Sequence, residues 1–117
     1  MNKLCAQSAT QLANLIRTGE TSSEEVVRAH LDRIEEVNPD VNAITVILGE
    51  SALKAAEQAD SASDEDKMRP FHGVPITIKE NIDLVGTPTT QGLAVNAEAM
   101  PARNAPIVDR MIAAGAI

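Results

Sequence analysis

Gly73-Val74-Pro75-Ile76-Thr77-Ile78-Lys79 is the stretch that decides the fold we predict for this chain of 117 residues. Apolar side chains alternate along it, as they do along a β-strand with one buried face, and its proline lies near the start, where a strand tolerates one. Residues 43–48 are rich in β-branched side chains and predict another strand. Residues 116–117 would begin a third. Strands that alternate with helices indicate an α/β fold.

Two capping patterns predict the leading helices. A serine followed three residues later by glutamine or glutamate forms a capping box, and the pattern occurs at Ser8 with Gln11 and at Ser22 with Glu25. Apolar residues recur at helical spacing behind each box. We therefore predict two N-terminal helices that flank a partial mixed sheet.

The ends of these helices, and two later ones, follow from breakers and caps. The first helix should stop at Gly19 and the second at residues 38–39, an Asn-Pro pair. Residues 51–62 are alanine-rich with helical spacing, and an acidic loop should follow them to Arg69. A last helix should begin behind Asn104 as its cap and end at Gly115. Residues 85–100 predict a long loop.

The composition fits one domain with a thin core. Hydrophobic residues make up 44% of the chain and charged residues 23%, as in ordinary globular proteins. Phe71 is the only aromatic residue, and aromatic side chains supply much of the buried area of most cores. We therefore expect exposed apolar surface, with self-association or low stability of the isolated chain.

Charge and residue counts exclude several classes of function. The net charge of −7 argues against a nucleic-acid partner. One cysteine, Cys5, cannot form an intramolecular disulfide, and no apolar run approaches a membrane span or a signal peptide. We predict a cytoplasmic protein. With two distant histidines, His30 in the core and His72 in a loop, we predict no metal site and no cofactor.

Lys79 is the candidate for chemistry. Strand alternation places it on the face of Thr77 and Asn81, opposite Val74 and its apolar partners, beside a glycine-rich loop. A solvent-facing lysine on an edge strand would fit the same pattern, since lysine is rarely buried. The alternative is a lysine at a functional site, whose amine points into a cavity.

Residues 73–83, with Thr89-Thr90-Gln91-Gly92 behind them, resemble the lysine region of the amidase signature family. Members commonly read G-[VI]-P-[VIL]-x-[VIL]-K-[DE]-N near a later T-T-x-G. Residues 8–25 are more loosely similar to the family's first two helices, and residues 109–117 to its helix leading into a core strand. The resemblance implies that residues 1–117 are the N-terminal portion of a single amidase domain.

The family's chemistry implies a role for Lys79. In a Ser–Ser–Lys arrangement, one serine attacks the amide carbonyl, a second serine on a cis peptide bond relays its proton, and the lysine accepts it. A lysine amine must be neutral for part of the time to do so, and burial favours that form. No serine follows Lys79 in this sequence. We therefore expect a truncated domain that lacks both serines, supplies only the lysine and is inactive alone, its parent hydrolysing a small-molecule amide.

Two other functions stay open at this stage. A non-catalytic truncated or binding module would also lack the serines. The A subunit of a glutamine-dependent tRNA amidotransferase belongs to the same family, and it usually has a cysteine and a lysine near the second threonine of its T-T motif. Gln91-Gly92-Leu93 follows Thr90 here, which favours a free-standing amidase.

Overall fold

The computed structural model describes residues 2–117. They form two compact units, one made of the chain up to Ile76 together with Ala114–Ile117, the other of Thr77–Ala113. The α-helices are α1 (Ala9–Thr18), α2 (Ser23–Val41), α3 (Gly49–Asp60), α4 (Asp64–Lys67) and α5 (Pro106–Ala113), and 3-10 turns cover Leu4–Ala6 and Ala94–Asn96.

Residues 2–117 contain no β-strand, so the predicted α/β fold with a partial mixed sheet is wrong. In the predicted strand at residues 43–48, a side chain replaces the strand partner. Asn38 Nδ2 donates to the Ile44 carbonyl at 2.9 Å, and the Ile44 amide donates to Asn38 Oδ1 at 2.9 Å. The β-branched residues are therefore held in a connection between two helices.

The predicted strand at residues 74–79 is a connection without regular structure as well. The Ile117 amide donates to the Val74 carbonyl at 2.9 Å, and the Ile76 amide donates to the Ile117 carbonyl at 2.7 Å. Among the described residues, no residue of this connection after Ile76 makes a backbone hydrogen bond to residues 115–117. Pro75 has no amide hydrogen to add, so the contact remains too short to form a strand.

Both predicted capping boxes are confirmed. Ser8 Oγ accepts from the Gln11 amide at 3.2 Å, and Gln11 Oε1 accepts from the Ser8 amide at 2.8 Å. Ser22 and Glu25 repeat this pair of bonds at the start of α2. Gly19 follows α1 with a φ of 74°, a left-handed conformation that glycine adopts without strain.

The other predicted boundaries are partly correct. Helix α2 continues through Pro39 to Val41, and its C-cap Asn42 donates its amide to the Asn38 carbonyl at 2.7 Å. The predicted helix at residues 51–62 is α3, and the acidic segment behind it contains the single turn α4, where Ser63 Oγ accepts from the Asp66 amide. In the second unit, the residue directly before α5 is Ala105, and its carbonyl accepts from the Val108 amide at 2.9 Å. The prediction that Asn104 caps this helix is therefore wrong.

The core of the first unit is aliphatic, as the composition predicts. Its buried members come from α1, α2 and the connection after Gly73: Leu12, Ala13, Ile16, Val26 and Val74, with Leu4 packed against them. The fully buried Ser23 ties α2 to that connection, since its Oγ donates to the Gly73 carbonyl at 2.8 Å. The carboxylate of Asp60 accepts from the amides of Ser23 at 2.7 Å and Glu24 at 3.0 Å. This polar junction joins the end of α3 to the start of α2.

Candidate functional site

Lys79 lies at the start of a turn in the unit Thr77–Ala113. Its carbonyl accepts from the Ile82 amide at 2.9 Å, which closes the turn behind it. The Lys79 side chain is exposed. Lys79 therefore faces solvent in this chain, and the expectation that its amine points into a cavity is wrong here.

Glu80 joins this turn to the Thr-Thr-Gln-Gly segment. One carboxylate oxygen accepts from the Thr90 amide at 2.5 Å, and the other accepts from the Gln91 amide at 3.0 Å. The Thr90 hydroxyl, followed by the amides of Thr90 and Gln91, holds the pKa of Glu80 below its ordinary value, because these groups stabilise the charged form. The carboxylate is thus bound as an anion at the residue next to Lys79.

Asp83 makes a second connection between the same two segments. Its Oδ1 accepts from the Thr89 hydroxyl at 2.7 Å. We call Glu80 and Asp83, together with the three residues 89–91 that they bind, the carboxylate clamp.

The Thr-Thr-Gln-Gly sequence has a local structural reason. The Leu93 amide donates to the Thr90 carbonyl at 3.0 Å, and the residues between them, Gln91 and Gly92, have φ values of 53° and 74°. Two successive positive φ angles are typical of a type I′ turn, which favours glycine. The Asn96 side chain donates to the same carbonyl at 3.3 Å. The turn is therefore held in a conformation in which the amides of residues 90 and 91 point toward Glu80.

The sequence did not identify the clamp. A carboxylate directly after Lys79 was visible, and so was a glycine-containing turn ten residues on. What connects them is a pair of free backbone amides, which are present in every residue except proline. Glu80 was a visible neighbour of Lys79, but its hydrogen-bond partners were identified only from the structure.

The histidines lie in the first unit. His72 lies in a turn, in agreement with the predicted loop position. It is nevertheless 2% exposed, and its Nε2 lies 2.9 Å from the Ala59 carbonyl. Its Nδ1 has no hydrogen-bond partner among the described residues. His30 is half-buried, with Nδ1 2.8 Å from the Val26 carbonyl.

Neither serine nearest to Lys79 in sequence is free to act beside it. Ser61 Oγ donates to the Glu57 carbonyl at 3.0 Å, and Ser63 Oγ caps α4. The unit Thr77–Ala113 contains neither serine nor cysteine. The site in this unit therefore offers an exposed lysine and a positioned turn, but no nucleophile of the Ser/Cys type.

The described residues, 2–117, hold no candidate metal cluster and no candidate membrane span. No group of three His, Cys, Asp or Glu side chains in this part of the chain could hold a metal ion. None of its helices has the length and apolar character needed to cross a membrane. The cytoplasmic location stays a prediction.

Comparison with known proteins places the site in a family context. The family model described as Amidase matches residues 25–117. The chain is 45% identical over 111 residues to an indoleacetamide hydrolase of Bradyrhizobium diazoefficiens, a match that covers 94% of this chain and 21% of that protein. It is 39% identical over 118 residues to the A subunit of a glutamyl-tRNA(Gln) amidotransferase of Salinispora tropica, covering 100% of this chain and 24% of that one.

A solved structure shows the same similarity. The native peptide amidase from Stenotrophomonas maltophilia superimposes with a TM-score of 0.84 at 28% identity, over 95% of this chain and 23% of that enzyme. The chain thus spans less than a quarter of the length of each of these three proteins.

Proposed function

This chain belongs to the amidase family, and we propose that it supplies the lysine base of an enzyme that hydrolyses a carboxylic amide. The observation that carries the proposal is the family match across residues 25–117, which includes Lys79 and the turn that Glu80 binds. The relatives named indoleacetamide hydrolase and peptide amidase support amide cleavage as the reaction.

The proposed reaction divides amide cleavage into two steps. A serine hydroxyl attacks the carbonyl carbon, its proton passes through a second serine to the Lys79 amine, and a tetrahedral oxyanion forms. Backbone N–H groups would stabilise that oxyanion. The C–N bond then breaks, the leaving nitrogen takes the proton, and water hydrolyses the acyl-serine to the acid. Both serines would lie outside these 117 residues, because none follows Lys79.

The exposure of Lys79 bears on when its amine can act as a base. An amine in water is hydrated as an ammonium ion, whereas burial favours the neutral form that accepts a proton. We infer that further polypeptide must cover Lys79 before it acts as a base. The isolated chain should then hydrolyse no amide.

A hybrid enzyme tests the proposal. This chain would replace the matching 21% of the Bradyrhizobium indoleacetamide hydrolase, and ammonia release from indole-3-acetamide would be measured. We expect the hybrid to turn over, and the isolated chain to release no ammonia above background. A folded, monodisperse hybrid without turnover would contradict the proposal.

Ammonia transfer to glutamyl-tRNA is the second candidate function, favoured by the 39% identity to the Salinispora amidotransferase protein. Glutamine would then be the ammonia donor, and partner subunits would be needed. The residues after Thr90 argue against it. Such proteins usually have a cysteine and a lysine near the second threonine of the T-T motif, whereas Gln91 and Gly92 follow Thr90 here.

A second hybrid separates the three possible functions. This chain would replace the matching 24% of the Salinispora amidotransferase protein, together with that protein's own partner subunits. Glutamine-dependent transfer by this hybrid, with an inert hydrolase hybrid, would establish the amidotransferase function. Two folded but inert hybrids would instead favour the non-catalytic module.

A further inference from the structure

The carboxylate clamp fixes the backbone on which Lys79 stands. Glu80, the next residue, binds the amides of Thr90 and Gln91 at 2.5 and 3.0 Å. Asp83, four residues after Lys79, binds the Thr89 hydroxyl at 2.7 Å. The turn that begins at Lys79 and the residue directly after it are therefore held at two points against one neighbouring segment.

We propose that Glu80 is a positioning residue for the Lys79 amine, a role that rests on the proposed function of Lys79 as the base. The Lys79 side chain is exposed and has a flexible four-carbon stem, so this unit can restrict its position chiefly through its backbone. Displacement of a reacting group by about 1 Å can reduce turnover about a hundredfold. Glu80 touches neither substrate nor amine in this proposal; it acts through the backbone.

The electrostatics of the clamp agree with this role. Both oxygens of Glu80 face hydrogen-bond donors, so the bidentate contact requires the ionised carboxylate. The lowered pKa of Glu80 keeps that form present at neutral pH. The clamp is therefore closed under the conditions in which a lysine base would work.

The contact itself can be tested in the 117-residue chain without reference to catalysis. Hydrogen exchange of the Thr90 and Gln91 amides would be followed by NMR in the wild type, Glu80→Gln and Glu98→Gln. Glu98 is an exposed carboxylate of the same unit and serves as the matched control. We expect Glu80→Gln to reduce the protection of these amides about tenfold or more, and Glu98→Gln to leave it unchanged. Equal protection in both variants would overturn the inference.

The catalytic consequence is tested in the hydrolase hybrid. Glu80→Gln should lower kcat about tenfold or more with KM changed by less than about twofold, because orientation and not substrate binding is lost. Glu80→Asp keeps the charge and both acceptor oxygens on a stem shorter by one methylene, so it should recover part of the lost kcat. A smaller folded fraction would also lower the apparent kcat at unchanged KM, so turnover would be expressed per folded molecule, and a defect that disappears on that basis would overturn the positioning role.

The outcomes separate the two proposals. If Lys79→Ala leaves kcat unchanged in the hybrid, the proposed function is wrong. If Lys79→Ala abolishes turnover while Glu80→Gln has normal kcat, or if Glu80→Asp is as poor as Glu80→Gln, the base assignment stands and the positioning role of Glu80 is wrong.

Discussion

Replacement of Asp60 by alanine should destabilise the first unit through the start of α2. The first amides of a helix have no partner within the helix, and here the Asp60 carboxylate binds two of them, those of Ser23 at 2.7 Å and Glu24 at 3.0 Å. The negative charge also lies at the positive end of the helix dipole. Asp60→Ala removes both bonds and the charge at once.

The expected loss follows from these contacts. A side-chain cap is worth about 0.5–2 kcal/mol, and the charge at a helix start adds about 0.3–1 kcal/mol. Asp60 is half-buried, so water can hydrate part of the exposed amides after the substitution. We therefore expect a decrease of about 2 kcal/mol in the free energy of unfolding. Asp60→Asn keeps one acceptor oxygen and should lose about half as much.

Urea denaturation followed by circular dichroism at low protein concentration measures this change. With a urea dependence of about 2 kcal/mol per molar, a loss of about 2 kcal/mol lowers the midpoint by about 1 M. Gln58→Ala, an exposed change on the same helix, should stay within about 0.5 kcal/mol of the wild type. If Asp60→Ala unfolds at the same urea concentration as Gln58→Ala, the polar junction does not stabilise the helix start.

Three other predictions concern the same chain. Gly73→Ala should unfold it more readily than any helix-surface change, because a Cβ at this φ of 74° would lie 2.8 Å from Ser23 Oγ; a normal urea midpoint would show that the junction is more adaptable. Glu80 has a lowered pKa, so its contribution to stability is present above the ordinary pKa of 4.5 and is lost as the pH falls through its pKa in the folded chain. The hydrogen-exchange protection of the Thr90 amide should fall over the same pH range, and protection that does not change with acid would contradict this. The exposed Val95 (89%) and Met68 (66%) predict association, so sedimentation velocity should show dimers or larger species, and a single monomeric boundary at all concentrations would refute it.

Features encoded by nearby residues were predictable from the sequence. The boxes at Ser8 and Ser22 depend on partners three residues away, and both formed as predicted. Gly19 ends α1 because glycine adopts the left-handed conformation found there without strain. Each of these predictions needed only a few consecutive residues.

Features that depend on a distant partner were missed or wrong. Residues 43–48 have the composition of a strand, but a strand needs a neighbour, and the Asn38 amide satisfies Ile44 instead. The Asp60 carboxylate reaches an amide 37 residues earlier, and the bonds from Glu80 to residues 90 and 91 involve backbone amides, which no residue type marks. At the candidate site, Lys79 was proposed from its sequence motif, whereas its exposure and its clamp became visible only in three dimensions.

Loss of the Lys79 amine is the most direct test of the central claim. Ammonia release from indole-3-acetamide would be compared in the hydrolase hybrid carrying Lys79→Ala and in the same hybrid carrying Lys54→Ala, an exposed lysine on α3. We expect Lys79→Ala to reduce kcat by about a hundredfold or more, as loss of a general base does, with the thermal midpoint unchanged and Lys54→Ala fully active. Equal turnover by the two variants would contradict the assignment of Lys79 as the base.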